Sequence, residues 1–374
     1  MPQGVSLFYF PLFAGNGYIL TKSTGRELLR SNCSLKGFVL QPGNMDMSTV
    51  REGEIFYSVE QLQEMIASSL GPDNVPQRFK IITDTSDFFR VDYNDVVILA
   101  GIPYLMRNYT REGRFGLDDE PKYWVRKAID LKNQEAKIIK LVFHEEIEAR
   151  VGDIVFKCVR SPGKEAAILE MVAGHKNFMQ GTAIRDKAGN IVRILDFIQG
   201  KRLDELIFNL AENHESFFYE HLPAYLAVYA EMVQAIGFLH ENGQKHGDIR
   251  RDHILLDRNT GNYRWIDFDY DYYHKANMFG YDLFGLGNIL VFLVGGGDVT
   301  VQQLQALGSP LLEKLSENDM NIIFNNRVAN LQKIYPYVPD SLNYILLHFS
   351  NGANLYYENT RQLIEDLGEV QINA

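Results

Sequence analysis

Two aspartates held on either side of a short hairpin pattern constrain this chain more than any other feature. Residues 246–255 read His-Gly-Asp-Ile-Arg-Arg-Asp-His-Ile-Leu, and Trp265-Ile266-Asp267-Phe268-Asp269 follows. Ahead of them, apolar residues recur at helical spacing through Leu222, Tyr225, Leu226, Val228, Tyr229, Met232, Val233, Ile236 and Leu239, and the pattern stops at Glu241-Asn242-Gly243. A helix therefore runs straight into the 246–253 loop. The segment HILLDRNTGNYRWIDFD then divides into two short apolar strands about an Asn259-Thr260-Gly261-Asn262 turn. A hairpin of that kind places Asp248 and Asp267 at the mouth of one cleft.

A chain of 374 residues with 46% hydrophobic and 23% charged side chains can bury a sizeable core and is long enough for two or three domains. The formal net charge of −11 argues against non-specific binding to nucleic acid or anionic membrane, because polyanions would be repelled. Cys33 and Cys158 are too few for a disulfide scaffold and form no metal-ligand pattern, which favours a reducing compartment. The amino-terminal stretch lacks the basic segment and small-residue cleavage site of a secretory signal, and uninterrupted apolar runs such as Ile289 to Val294 are too short to cross a bilayer. The expectation is a soluble, cytoplasmic protein without nucleic-acid or membrane partners.

Together, the 246–255 and 265–269 segments resemble the catalytic loop and metal-binding strand end of the protein-kinase-like superfamily, and within it the bacterial serine/threonine protein kinase domains. The resemblance implies an α+β, bilobal fold: a small, mainly β lobe and a larger α-helical lobe, here preceded by an additional small α/β or β region. It implies transfer of the γ-phosphate of ATP to a hydroxyl, with Mg2+ or Mn2+ as the metal. In that scheme Asp248 handles the proton of the attacking hydroxyl, Arg250 stands where serine/threonine kinases carry a phosphate-contacting Lys, and Asp267 holds the metal. Where the pattern H-x-D-x-x-x-x-N has a metal-binding Asn, this chain has His253, read either as a replacement ligand or as a hydrogen-bonded loop histidine.

The resemblance extends in both directions. YDLFGLGNILVFLV at 281–294 is similar to the buried helix after the activation segment, whose Asp282 would brace the catalytic-loop backbone, with an ordinary N-capping aspartate as the alternative. VPDSLNYILLHFSNGANLYYENTRQLIEDL is similar to the last two helices of the bacterial domains. Upstream, KYWVRKAIDLKNQEAKIIKLVF reads as two strands about an Asp130–Gln134 turn, and the resemblance makes Lys140 the phosphate-binding lysine, with Lys157 its rival. SPGKEAAILEM offers Glu165, or less favourably Glu170, as the helix partner of that lysine, and 144–160 would be an extra hairpin. Residues 111–116, Arg-Glu-Gly-Arg-Phe-Gly, match the latter part of the phosphate-covering loop, with Gly113 and Gly116 allowing close backbone approach; an acidic insert follows at 117–120. IVRILDFIQGKRLDEL resembles the hinge, where backbone groups of Asp196 and Ile198 would contact adenine.

The amino-terminal part carries a possible hairpin at Gly15-Asn16-Gly17, a helix around Val59–Leu70 and a linker at Gly71–Pro76. The expected division is a region of unassigned function over 1–76, a small β module over 77–110 leading into the small lobe at 111–198, and the large lobe at 199–374. Asp267 and Asp282 are only 282 − 267 = 15 positions apart, too few for a full activation segment. Tyr356 stands where its anchoring Arg belongs, and Gly247 replaces the Arg that binds an activation-loop phosphate. Three readings follow: an atypical, constitutively configured kinase-like enzyme acting on an unidentified hydroxyl acceptor, a small-molecule kinase, or a pseudokinase that binds nucleotide or a partner without turnover.

Overall fold

The structure is a computed structural model and describes residues 57–112, 120–208, 210–211, 213–274 and 277–372. Gly113, Gly116 and the expected hairpin at Gly15-Asn16-Gly17 lie outside the described residues. Helix α1 (Val59–Leu70) starts at Ser58, whose hydroxyl accepts from the Gln61 amide while the Gln61 side chain accepts from the Ser58 amide, so two orphan amides are satisfied reciprocally. Leu62 and Ile66, one turn apart, are fully buried in a cluster with Val96, Leu105 and Leu131. Burying those two side chains supplies roughly 3–6 kcal/mol before entropy is charged.

The strands that follow are β1 (Ile81–Ile82), β2 (Val96–Leu99), β3 (Ile102–Glu112), β4 (Glu120–Asp130), β5 (Glu135–Lys140), β6 (Glu146–Val151) and β7 (Ile154–Arg160). Helix α2 (Pro162–Met171) comes next, then β8 (Gly181–Arg185) and β9 (Ile191–Asp196). Seven of these strands form one sheet in the order β1-β2-β3-β4-β5-β9-β8. The β2–β3 turn puts Ala100 and Gly101 at φ +48° and +72°, the mirror-image geometry that matches strand twist. Strand β3 pairs with β2 on one side and β4 on the other, so the strands over 81–112 continue the sheet of the small lobe. The expected extra hairpin is β6–β7, and it stands outside that sheet.

The larger lobe begins with β10 (Gly200–Arg202), α3 (Leu203–Ile207), α4 (His214–Glu220) and α5 (Leu222–Glu241). The segment after the 246–253 loop gives β11 (Ile254–Asp257), β12 (Tyr263–Trp265) and β13 (Tyr270–Tyr273), and helices α6 (Gly280–Val294), α7 (Val301–Ala306), α8 (Asp340–Leu347) and α9 (Thr360–Gly368) complete it. By length and composition alone α5 would suit a membrane span. Here Tyr229, Met232, Val233, Ile236 and Leu239 are instead buried in the core that α6 and α8 also line. The Trp265 indole donates to the Met232 carbonyl at 3.0 Å, tying the β11–β12 hairpin to α5. The architecture is α+β, with a mainly β lobe followed by a mainly helical one.

Candidate active site

Lys140 closes strand β5, and Ser161 starts α2 by accepting from the Lys164 amide. Those two boundaries bring Lys140 Nζ to 2.7 Å from Glu165 Oε1 in the buried interior of the small lobe. The other Glu165 oxygen accepts from Arg193 Nε at 2.9 Å, so the carboxylate is gripped on both sides. Lys140 Nζ also lies 2.6 Å from Asp267 Oδ1 and 3.0 Å from Asp269 Oδ2. Burial pushes the Lys140 pKa down, but Asp267, Asp269 and Glu165 together outweigh it and hold the ammonium above its ordinary range. Lys157 on β7 and Glu170 on α2 are exposed.

The 246–253 loop is braced from α6. Asp282 is fully buried; its Oδ2 accepts from the His246 amide at 2.7 Å and its Oδ1 from the Gly247 amide at 2.9 Å. It is not the cap of α6, because the N-cap position is Phe279. A second brace comes from α2, where Lys164 Nζ donates to the carbonyls of His246, Phe268 and Tyr270 at 2.9, 3.0 and 2.5 Å. Burial brings the pKa of this lysine down to about 8. One ammonium thus fastens helix, loop and strand end together.

Asp267 sits at φ +65°, a backbone state that a non-glycine residue adopts only where its surroundings enforce it. Its Oδ2 accepts from Lys122 Nζ, reaching down from β4, at 2.6 Å. Burial raises its pKa, yet Lys122, Lys140, His253 and Arg160 overcome that and keep the carboxylate ionised well below the usual range. His253 Nδ1 is 2.9 Å from the Asp248 carbonyl, a partner that can only accept, so Nδ1 carries a proton. That leaves Nε2 turned to Asp267 Oδ2 at 3.7 Å, beyond hydrogen-bonding range. Ligand atoms of Asp248, His253 and Asp267 all fall within 4.8 Å of one another.

The other expected residues are engaged by their neighbours. Arg250 Nε pairs with Asp252 Oδ1 at 3.0 Å, and its Nη2 bonds the same carboxylate. The Asp196 amide donates to the Gln180 carbonyl at 2.9 Å, and its side chain accepts from Lys137 at 2.8 Å, so that amide is not aimed at a base. Ile198 is half-buried against the large-lobe core. Asp269, which had no assigned role, is fully buried and lies 2.5 Å from Arg160 Nη1. The segment after it is short because it is a strand: β13 pairs with β7 of the inserted hairpin and leads on towards α6. Tyr356 packs its ring 5.3 Å from that of Phe284.

A lysine ending a small-lobe strand is locked to a helix glutamate and to the aspartate after a hairpin, and a helix aspartate braces the intervening loop. The fold is protein-kinase-like. No family model matches the sequence, and none of the curated proteins is recognisably related to it. Among solved structures, the Mycobacterium tuberculosis PknI kinase domain is similar at 12% identity over 75% of this chain and 99% of that chain, with a TM-score of 0.39. A mutant of the same domain is similar at 13% identity over 75% and 98%, with a TM-score of 0.42. At that similarity they add nothing to the geometry.

Lys122, Asp269, Arg160, Arg193 and Lys164 are site residues that sequence patterns did not single out. Some carry a faint signal: Arg160 occupies an inward position of the alternating strand β7, and Asp269 completes the Asp-Phe-Asp triplet. Lys122 stands three residues before Val125, on the buried side of β4.

Proposed function

We propose that the protein is an ATP-dependent phosphotransferase, atypical and serine/threonine-protein-kinase-like, that moves the γ-phosphate to a hydroxyl. The observation that supports it most is the convergence on Asp267 of Lys140, itself fixed by Glu165, and of His253 beside Asp248. A cation pre-positioned by a buried carboxylate meets phosphate without first being ordered. Asp248 is the group that would orient the acceptor hydroxyl and take its proton. Two carboxylates and one imidazole fit a divalent ion, and the imidazole favours Mn2+ over the all-oxygen preference of Mg2+. Asp267 and His253 would hold that ion, which supplies charge neutralisation at the phosphates.

The short, strand-paired segment after Asp269 supports a constitutively configured site and leaves little platform for a long peptide, so a small hydroxyl compound stands beside a protein as acceptor. Lys122 on Asp267 and Arg250 on Asp252 favour a second reading, a nucleotide-binding pseudokinase. Thermal-shift titration with ATP, with and without Mn2+ or Mg2+, followed by a phosphate-transfer assay, separates them, since a ligand of the native state raises its melting temperature. Asp248→Asn is expected to abolish transfer and keep nucleotide binding, whereas Asp267→Asn weakens metal-dependent binding as well. Binding without transfer in the wild type supports the pseudokinase, and the absence of binding under every condition removes both.

A further inference from the structure

We propose that Lys122 is a built-in competitor of divalent metal at Asp267, a tethered cation that blocks metal binding until a phosphate-bearing ligand draws it away. The proposal rests on the phosphotransferase reading of the same cleft. Lys122 hangs from β4, the strand that begins at Glu120, directly after the segment expected to cover the phosphates. Its side chain is only 10% exposed, and its ammonium lies 2.6 Å from Asp267 Oδ2. The two lysines divide the carboxylate between them, because Lys140 holds Oδ1.

Oδ2 is also the oxygen that faces His253 Nε2 at 3.7 Å. A metal held jointly by Asp267 and His253 would therefore need the oxygen that Lys122 occupies. An ammonium and a divalent ion on one oxygen repel strongly in a site of low effective dielectric. A buried ammonium deprived of its carboxylate is costly unless another anion takes that place. The nearly buried Lys122 stem has little access to water as a substitute, and a polyphosphate entering with the metal is an anion that can take the place of the carboxylate. The consequence is ordered recognition: metal alone binds poorly, and metal with a phosphate chain binds well.

Mn2+ alone, titrated into the nucleotide-free full chain with free Mn2+ followed by electron paramagnetic resonance, tests this directly. Lys122→Met is expected to bind Mn2+ roughly tenfold tighter than wild type, since one adjacent charge is removed from the carboxylate. Lys122→Arg should stay near wild type, and Asp267→Asn should lose the site in either background. Lys122→Gln, measured in the same way, takes the place of the Met variant if circular dichroism shows that one unfolded. Mn2+ affinity in Lys122→Met equal to or below wild type overturns the proposal. Unchanged Mn2+ affinity with intact ATP binding would remove the competitor and leave the phosphotransferase standing. Tighter Mn2+ binding in a protein that never binds ATP would do the reverse.

Discussion

The carbonyl oxygen of Tyr270 lies where a side chain on Gly247 would begin, only 1.8 Å from an added Cβ. Gly247 is also at φ +85°, so both sterics and backbone conformation demand glycine there. The missing arginine of the loop is therefore no simple loss: the first residue of β13 has moved into its space, and Lys164 fastens that same carbonyl. Gly247→Ala is expected to cost about 3 kcal/mol or more, because the obstructing atom is backbone. Denaturant titration measures it, and an unchanged midpoint would mean that Tyr270 does not cross the loop at this point.

Lys140 neutralises three carboxylates at once, those of Glu165, Asp267 and Asp269. Lys140→Met should destabilise the fold by about 3–5 kcal/mol, the range for removing one partner of a buried ion pair. Glu165→Gln should cost less, since Lys140 keeps two carboxylates, but should weaken ATP binding by loosening the lysine. Equal stability of Lys140→Met and wild type would show that the cluster is wet or otherwise compensated.

The Lys140–Glu165 pair and the bracing by Asp282 were legible through the resemblance of their segments to kinase sequences, since local pattern alone left Lys157 and Glu170 as rivals and an N-cap as the alternative for Asp282. Helix α5 was legible from its periodic apolar positions, and α6, α8 and α9 from the resemblance of their segments to the helices of kinase domains. What the sequence hid are contacts between positions far apart in the chain. Lys122 meets Asp267 across 145 residues and Arg160 meets Asp269 across 109, and no pattern in either segment points to the other. Arg250 adds a contact of short range that loop position alone does not reveal, since Asp252 two residues on pairs with its guanidinium.

Acid should unfold the lobe connection in a defined window. Burial pushes the Asp269 pKa up, but Lys140 and Arg160 outweigh it and bring it from 3.8 to about 2. A carboxylate depressed in the folded state contributes stability above its unfolded value, and that contribution is lost as pH falls from about 4 to about 2. Arg160→Met removes one of the two cations, so the acid midpoint should rise. Tyrosine and tryptophan fluorescence against pH reads this, and an identical midpoint in the variant would assign the transition to other carboxylates.

Deleting residues 1–76 removes α1 and uncovers Val96, Leu105 and Leu131, which Leu62 and Ile66 now cover. The truncated chain is expected to melt lower and to expose apolar surface to a hydrophobic dye. A truncation starting at Tyr57 keeps α1, so the difference in melting between the two truncated chains reads what residues 57–76 contribute. If the shorter truncation product melts as the full chain does, α1 is an appendage rather than part of the small-lobe core.

The proposed metal preference turns on His253. Its Nδ1–H bond to the Asp248 carbonyl leaves Nε2 on the side of Asp267, the nitrogen that a metal would take in place of a proton. Replacing imidazole nitrogen by an amide oxygen makes the donor set harder, and hard donors favour Mg2+. Phosphate transfer by the wild type should therefore run faster with Mn2+ than with Mg2+, and His253→Asn should move the preference towards Mg2+. The same shift should appear without turnover, as a change in which ion raises the melting temperature in the presence of ATP. An unaltered preference in both measurements would leave His253 as a loop brace, with Asp267 holding the ion through water.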